Sequence, residues 1–393
     1  MENLLEALPE TLLMGPGPSS VHPSTLRAMA APEIGHLDPR FLRIMDQTLD
    51  LLRQVFQTQN QLTLPLSGTG SAGMEAAVVN FVRPGDRVVV GLNGYFGQRL
   101  AEMARRQGAE VVGVETEWGR PVETADLRKA LAGGPTRLVA LVHAETSTGV
   151  LQPLEEAADA AHRAGAMLLA DAVTSLGGVP VAVDARGVDI AYAGTQKCLS
   201  CPPGLAPLTC NDRARQAVED RAGDPPSWYL DLKLVARYWG EERFYHHTAP
   251  INMIYALNQA LRLVVEEGLE ARFERHRQVA RGLWAGLEAM ELRLVVPEDQ
   301  RTPSLTTVWI PEGIDDAAVR RRLLAVHGIE IGGALGPWKG RAWRIGTMGE
   351  SARPQNVYRF LAALGECLGR FGHPVGVREA LAAAREAMAA LEG

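Results

Sequence analysis

Cysteine is scarce in this chain: four residues in 393, at Cys198, Cys201, Cys210 and Cys367. So few thiols in so long a chain exclude a disulfide-stapled scaffold. Cys198 and Cys201 form a CxxC, the spacing of a redox pair or of half a zinc site. No second CxxC or HxxxH follows at metal-site spacing, so small buried side chains near a site are the better reading. A dense Lys/Arg block is also missing, and the formal net charge is −6. Nucleic acid is therefore not an expected partner. No run approaches the ~18 uninterrupted apolar residues of a membrane span. The start carries no basic segment followed by an apolar run, and Leu391-Glu392-Gly393 is not a peroxisomal or ER-retention tail. A cytoplasmic enzyme is the expectation. Internal repeats and low-complexity linkers are lacking as well.

What remains is ordinary globular material, 46% hydrophobic and 22% charged, in a chain long enough that two domains are expected. Met14-Gly15-Pro16-Gly17-Pro18 suits neither helix nor central strand, which predicts an extended arm over 1–20, near a site or across a partner subunit. Apolar runs at 87–92, 110–114, 138–142, 167–170 and 190–193 read as buried strands. Between them, helical patterns fall at 97–106, 125–131 and 154–164. This alternation predicts an α/β fold with a mostly parallel sheet covered by helices on both faces. A long helical pattern from 252 to 287 follows, then strands at 292–296, 306–310 and 342–345 among helices, and a terminal helix from Arg378. The boundaries expected are a large domain over 21–267 and a smaller α+β domain over 268–393.

Ligands of such sheets bind beyond the carboxyl ends of the strands, and three features fall there. Ser67-Gly68-Thr69-Gly70-Ser71-Ala72-Gly73 precedes a helical run. Its small residues, its hydroxyls and the free N–H groups of a helix start make a phosphate cradle, though not a GxxxxGK[ST] loop for a nucleoside triphosphate. Asp171 ends one strand, and Thr195-Gln196-Lys197 follows another. Alone, each has a plainer reading: a glycine-rich cap, an N-cap carboxylate and a surface lysine. Together they meet the demands of pyridoxal 5'-phosphate (PLP). That cofactor needs a phosphate cradle, a carboxylate against its ring nitrogen, a lysine for its aldehyde and an apolar plate over its ring, for which Phe96 is the candidate. His246 and His247 are neighbours on one element, where side chains point apart, so no metal is expected there.

The segments SGTGSAGMEA, NGYFGQR, HAETSTGVLQPL, LLADAVTSLGG, DIAYAGTQKCLSCPPG, YHHTAPINMIYAL and WRIGTMG resemble those of the class V aminotransferases. Among these, the alanine–glyoxylate / serine–glyoxylate (serine–pyruvate) group is the best match, from Gly15 to about Gly349. The resemblance implies PLP fold type I, with a seven-stranded type of sheet, and a homodimer whose active sites lie at the subunit interface. It makes Lys197 the Schiff-base lysine and Asp171 the partner of the ring nitrogen. Thr69, Gly70, Ser71 and Gln196 take phosphate-binding positions, Thr146 a cofactor contact, and Val173 the position under the ring. Tyr245 and Thr248 match residues that reach the neighbouring subunit's phosphate. Arg344 matches the arginine that grips the substrate carboxylate. Phe96 stands where the family often has Trp, and Ser71 where some members have His.

The implied reaction moves an amino group from alanine or serine to glyoxylate or pyruvate, through the pyridoxamine form of the cofactor. No second arginine is visibly placed for a dicarboxylate. Rival class V chemistries are 2-aminoethylphosphonate–pyruvate or pyridoxamine–pyruvate exchange, and cysteine desulfuration, which needs a mobile nucleophilic cysteine. A catalytically silent PLP-binding dimer is the rival of another kind. The sequence ranks neither donor nor acceptor, because a methyl-to-hydroxymethyl difference is worth only ~1–3 kcal/mol in a pocket.

Overall fold

A computed structural model describes residues 5–389. Residues 1–4 of the arm and the terminal Leu391-Glu392-Gly393 lie outside them. Seven strands form the main sheet in the spatial order Leu62–Ser67, Leu205–Cys210, Ile190–Tyr192, Met167–Asp171, Leu138–Val142, Arg87–Leu92 and Glu110–Glu115. All neighbouring pairs are parallel except the two made by Leu205–Cys210. The central strands are apolar on both faces because helices such as Gly70–Phe81, Tyr95–Arg106 and Glu155–Arg163 cover the sheet from both sides. This is the α/β architecture expected from the alternation.

A second hydrophobic core draws on Met14 and on residues from Val279 to Met388. Its three-stranded sheet is antiparallel, in the order Leu305–Trp309, Ala342–Gly346, Gly332–Gly333. The first core ends with Val264. The N-terminal arm joins the two halves. Leu12–Leu13 pairs in parallel with Ile329–Glu330, Met14 is fully buried, and the chain then runs to Lys197.

Two expectations are corrected. The helix expected over 252–287 is two helices, Ile251–Glu267 and Leu269–Ala289, broken at Gly268. Gly268 has φ +83, a conformation that glycine alone adopts without cost. The break turns Glu267 back onto Arg272 and Arg275, at 2.6 and 2.5 Å. The strand expected over 292–296 is not one: only Leu294 bridges to Val308. Pro297 follows, with no N–H to extend the ladder, and a 3-10 turn at Glu298–Gln300 carries the chain away.

Candidate active site

The carboxyl ends of the parallel strands open into a cavity of about 230 Å³. Its walls bring together Thr69, Gly70, Ser71, Phe96, Thr146, Asp171, Val173, Gln196 and Lys197, residues drawn from five separate stretches of chain.

The cradle is a helix start. Gly70–Phe81 begins immediately after Thr69, whose side chain makes no capping hydrogen bond. The first N–H groups of the helix and the Thr69 and Ser71 hydroxyls are thus left for a ligand, with the positive end of the helix dipole behind them. Gly70 is packed closely: a Cβ there would lie 3.1 Å from Val173 Cγ2 and 3.5 Å from Gly194 Cα. Gln196 Oε1 is buried without a partner, a polar atom whose burial is costly until something binds it.

Asp171 closes its strand and is 3% exposed. The Val173 N–H donates to Oδ1 at 2.9 Å and the Tyr192 hydroxyl donates to Oδ2 at 2.7 Å. Burial pushes its pKa up to about 6, against the opposing pull of those two donors. A buried carboxylate of this kind gains from a cation beside it, which is what a protonated pyridine nitrogen supplies. Lys197 sits opposite. Its amine donates to the Pro16 carbonyl of the arm, and burial, reinforced by the Arg344 charge, lowers its pKa to about 8. The cofactor-free protein should therefore capture PLP faster as pH rises through about 8, where the amine becomes neutral, and not near the ordinary 10.5. Stopped-flow absorbance across pH 6–10 checks the midpoint.

Arg344 stands in the middle of the second core's sheet and is 8% exposed. Its Nε donates to the Gly333 carbonyl at 2.8 Å and Nη1 to the Thr146 carbonyl at 3.2 Å. That second bond crosses from the small sheet to the cavity wall. Burial lowers its pKa to about 10, so it stays charged at neutral pH.

Three features were not visible in the sequence. Arg99 places a guanidinium in the cavity wall, 5.0 Å from the Phe96 ring centroid, where no arginine beyond Arg344 was expected; Arg344 itself touches that wall only through the Thr146 carbonyl. Glu145 is a fully buried carboxylate behind Phe96. Tyr192 is the partner of Asp171. His246 and His247 do not point apart: they lie in irregular backbone, and their Nδ1 atoms are 2.8 Å from each other. Their outer nitrogens meet the Trp228 carbonyl and the Ser67 hydroxyl. Tyr245 and Thr248 do not line the cavity; both are exposed on this chain, their hydroxyls 3.3 Å apart. All four cysteines are buried and unpaired, and burial raises each thiol's pKa. No described helix is long and apolar enough to cross a membrane.

Residues 24–336 match the family model for class V aminotransferases. The (S)-ureidoglycine–glyoxylate transaminase of Bacillus subtilis is 44% identical, over 96% of this chain and 95% of its own. The alanine–glyoxylate aminotransferase of Callithrix jacchus is 41% identical, over 92% and 88%. Among solved structures, an alanine–glyoxylate aminotransferase from Nostoc sp. superposes with a TM-score of 0.90 at 50% identity, covering 92% of this chain and 96% of that one. With these matches spanning both halves of the fold, the chain belongs to the class V aminotransferases, with the type I fold of PLP-dependent transferases.

Proposed function

We propose that this aminotransferase binds PLP on Lys197 and moves the amino group of a small amino acid, alanine or serine, to glyoxylate or pyruvate. The observation that carries this is one cavity holding three things at once. They are a buried lysine with a lowered pKa, a buried carboxylate with a raised one, and a helix start with unused donors. The names of the similar proteins point to glyoxylate as acceptor.

When bound, PLP supplies an aldehyde that condenses with amines and a ring that takes up the electron pair left at a deprotonated Cα. The residues divide the remaining tasks. Thr69, Gly70, Ser71 and Gln196 hold the phosphate. Phe96 and Val173 enclose the ring, and Thr146 contacts it. Asp171, fixed by Tyr192 and the Val173 N–H, keeps the ring nitrogen protonated. Arg344 grips the substrate carboxylate, which sets Cα before Lys197. Lys197 Nζ, once the incoming amino group has displaced it from the cofactor, would take the Cα proton and hand it to the cofactor's aldehyde carbon. Tyr245 and Thr248, exposed here among Trp228, Tyr229 and Phe244, complete the phosphate site of a second copy in a homodimer.

Arg344→Lys keeps the charge but loses the planar fork. It should raise KM for donor and acceptor together by about 10- to 100-fold, the worth of ~1.5–3 kcal/mol for a hydrogen bond to a charged group. Steady-state kinetics with each substrate varied checks this. For the donor, the holoenzyme is mixed with alanine, serine, (S)-ureidoglycine, pyridoxamine, 2-aminoethylphosphonate and aspartate, with glyoxylate or pyruvate as acceptor. Alanine or serine is expected to bleach the cofactor absorbance fastest. A faster response to the ureido donor overturns the donor assignment, and a faster response to aspartate gives Arg99 a side-chain carboxylate to bind.

A further inference from the structure

We infer that Glu145 is a positioning residue that locks the ring-stacking Phe96 and the carboxylate-binding Arg344 into one rigid unit; this rests on the function proposed above. The carboxylate is fully buried and holds two elements at once. Oε1 accepts from the Ser147 N–H at 2.9 Å and its hydroxyl at 2.6 Å. Oε2 accepts from the N–H groups of Phe96 and Gly97, at 3.0 and 3.3 Å. Ser147 Oγ also accepts from the Tyr95 N–H at 2.9 Å. The first three N–H groups of the helix Tyr95–Arg106 are thus satisfied by Glu145 and Ser147, not by a residue of its own N-cap, which is Gly94. Glycine is needed there for space: a Cβ would fall 2.5 Å from both Glu145 Cδ and Ser147 Oγ.

The other side of the same turn faces the cavity. Ala144–Glu145 pairs with Val150–Leu151 as a short hairpin, and the Gly149 N–H closes it on the Glu145 carbonyl at 2.8 Å. Thr146, next in the chain, lines the cavity and offers its carbonyl to Arg344 Nη1. The Gly149 carbonyl accepts from the N–H of Thr302, just before the strand Leu305–Trp309, at 2.9 Å. Among the described residues no cationic side chain lies within salt-bridge distance of Glu145. Burial pushes its pKa up, and the hydrogen bonds from Ser147, Gly97 and Phe96 pull it back down; these bonds depend on direction and so fix the geometry. A plain structural cap would satisfy the helix and do no more. Here the cap is joined covalently, through one peptide unit, to the carbonyl that aims the arginine.

Glu145→Gln tests this, since it keeps the shape but turns an amide N–H₂ toward donors. PLP should still bind, with a dissociation constant raised about 10-fold and a changed visible circular dichroism band, because the face over the ring has moved. The KM for donor and acceptor should rise about 10- to 100-fold. In a cycle with Arg344→Lys, the two losses should be strongly sub-additive, since both act through the same carboxylate grip. Ser147→Ala, which removes one donor to Oε1 and the acceptor for Tyr95, should shift the same readouts less, and serves if Glu145→Gln does not fold. Unchanged PLP affinity and dichroism, or additive losses in the cycle, would overturn the inference. A wild-type enzyme inactive with every donor would instead sink the function proposed above, while the cofactor readouts would still measure Glu145.

Discussion

Lys197→Ala is expected to lower kcat by roughly 10⁴-fold, the upper range for loss of a positioned acid–base group. It should lose the covalent hold on PLP as well. The fold should survive: among the described residues the side chain makes one hydrogen bond, to the Pro16 carbonyl, while the Lys197 carbonyl still accepts from the Ser19 hydroxyl at 2.6 Å. The substitution therefore separates chemistry from folding. Circular dichroism of the backbone should match the wild type, while the cofactor absorbance becomes that of a free aldehyde that washes out on dialysis. Activity above a hundredth of wild type would mean that another base moves the Cα proton.

The second large effect is expected at Asp171→Asn. Asparagine matches the shape but carries no charge, so a protonated ring nitrogen loses its counter-charge, and with it the ring loses its capacity to accept electrons. A fall in kcat of about 10²–10³-fold follows, the usual cost of removing one preorganised electrostatic partner. KM should change little, because Arg344 and its carbonyl partners are untouched. PLP should remain bound to Lys197. The substitution would thus leave a loaded, folded and slow enzyme, and single-turnover bleaching of the cofactor by the donor measures it. A bleaching rate within a few-fold of wild type would remove Asp171 from the proposed role.

The sequence made the centre of the large sheet legible because its central strands are apolar on both faces and alternate with helical stretches, the pattern of a covered parallel sheet. It hid two strands, Leu62–Ser67 at the edge and Leu205–Cys210, which runs antiparallel to both its neighbours. Pro207 lies inside the latter, in register with Pro65 of the edge strand, and proline normally argues against a sheet interior. Gly268 falls inside the helical pattern over 252–287; its positive φ, which needs the tertiary structure to be seen, makes it a corner. The site divides in the same way. Asp171 and Lys197 announce themselves by following strands, and Thr69–Ser71 by preceding a helix. Glu145 had no such signal, since its partners Phe96 and Gly97 are about 50 residues away and no spacing rule links a turn to a distant helix start. Tyr192 reads as one more buried aromatic in a strand, until its hydroxyl is found on Asp171. Tyr245 and Thr248, exposed on a single chain, acquire their proposed task only through a second copy.

The most direct measurement concerns Lys197. The chain has only four lysines, Lys129, Lys197, Lys233 and Lys339. Lys129 is salt-bridged to Asp126 at the surface and Lys233 donates to the Glu219 carbonyl; neither they nor Lys339 line the cavity. Reducing the PLP-loaded protein with borohydride and digesting it should place one stable pyridoxyl mass on the peptide containing Lys197, at one label per chain. A label on any of the other three lysines, or none on Lys197 when the protein carries its cofactor, would contradict the account.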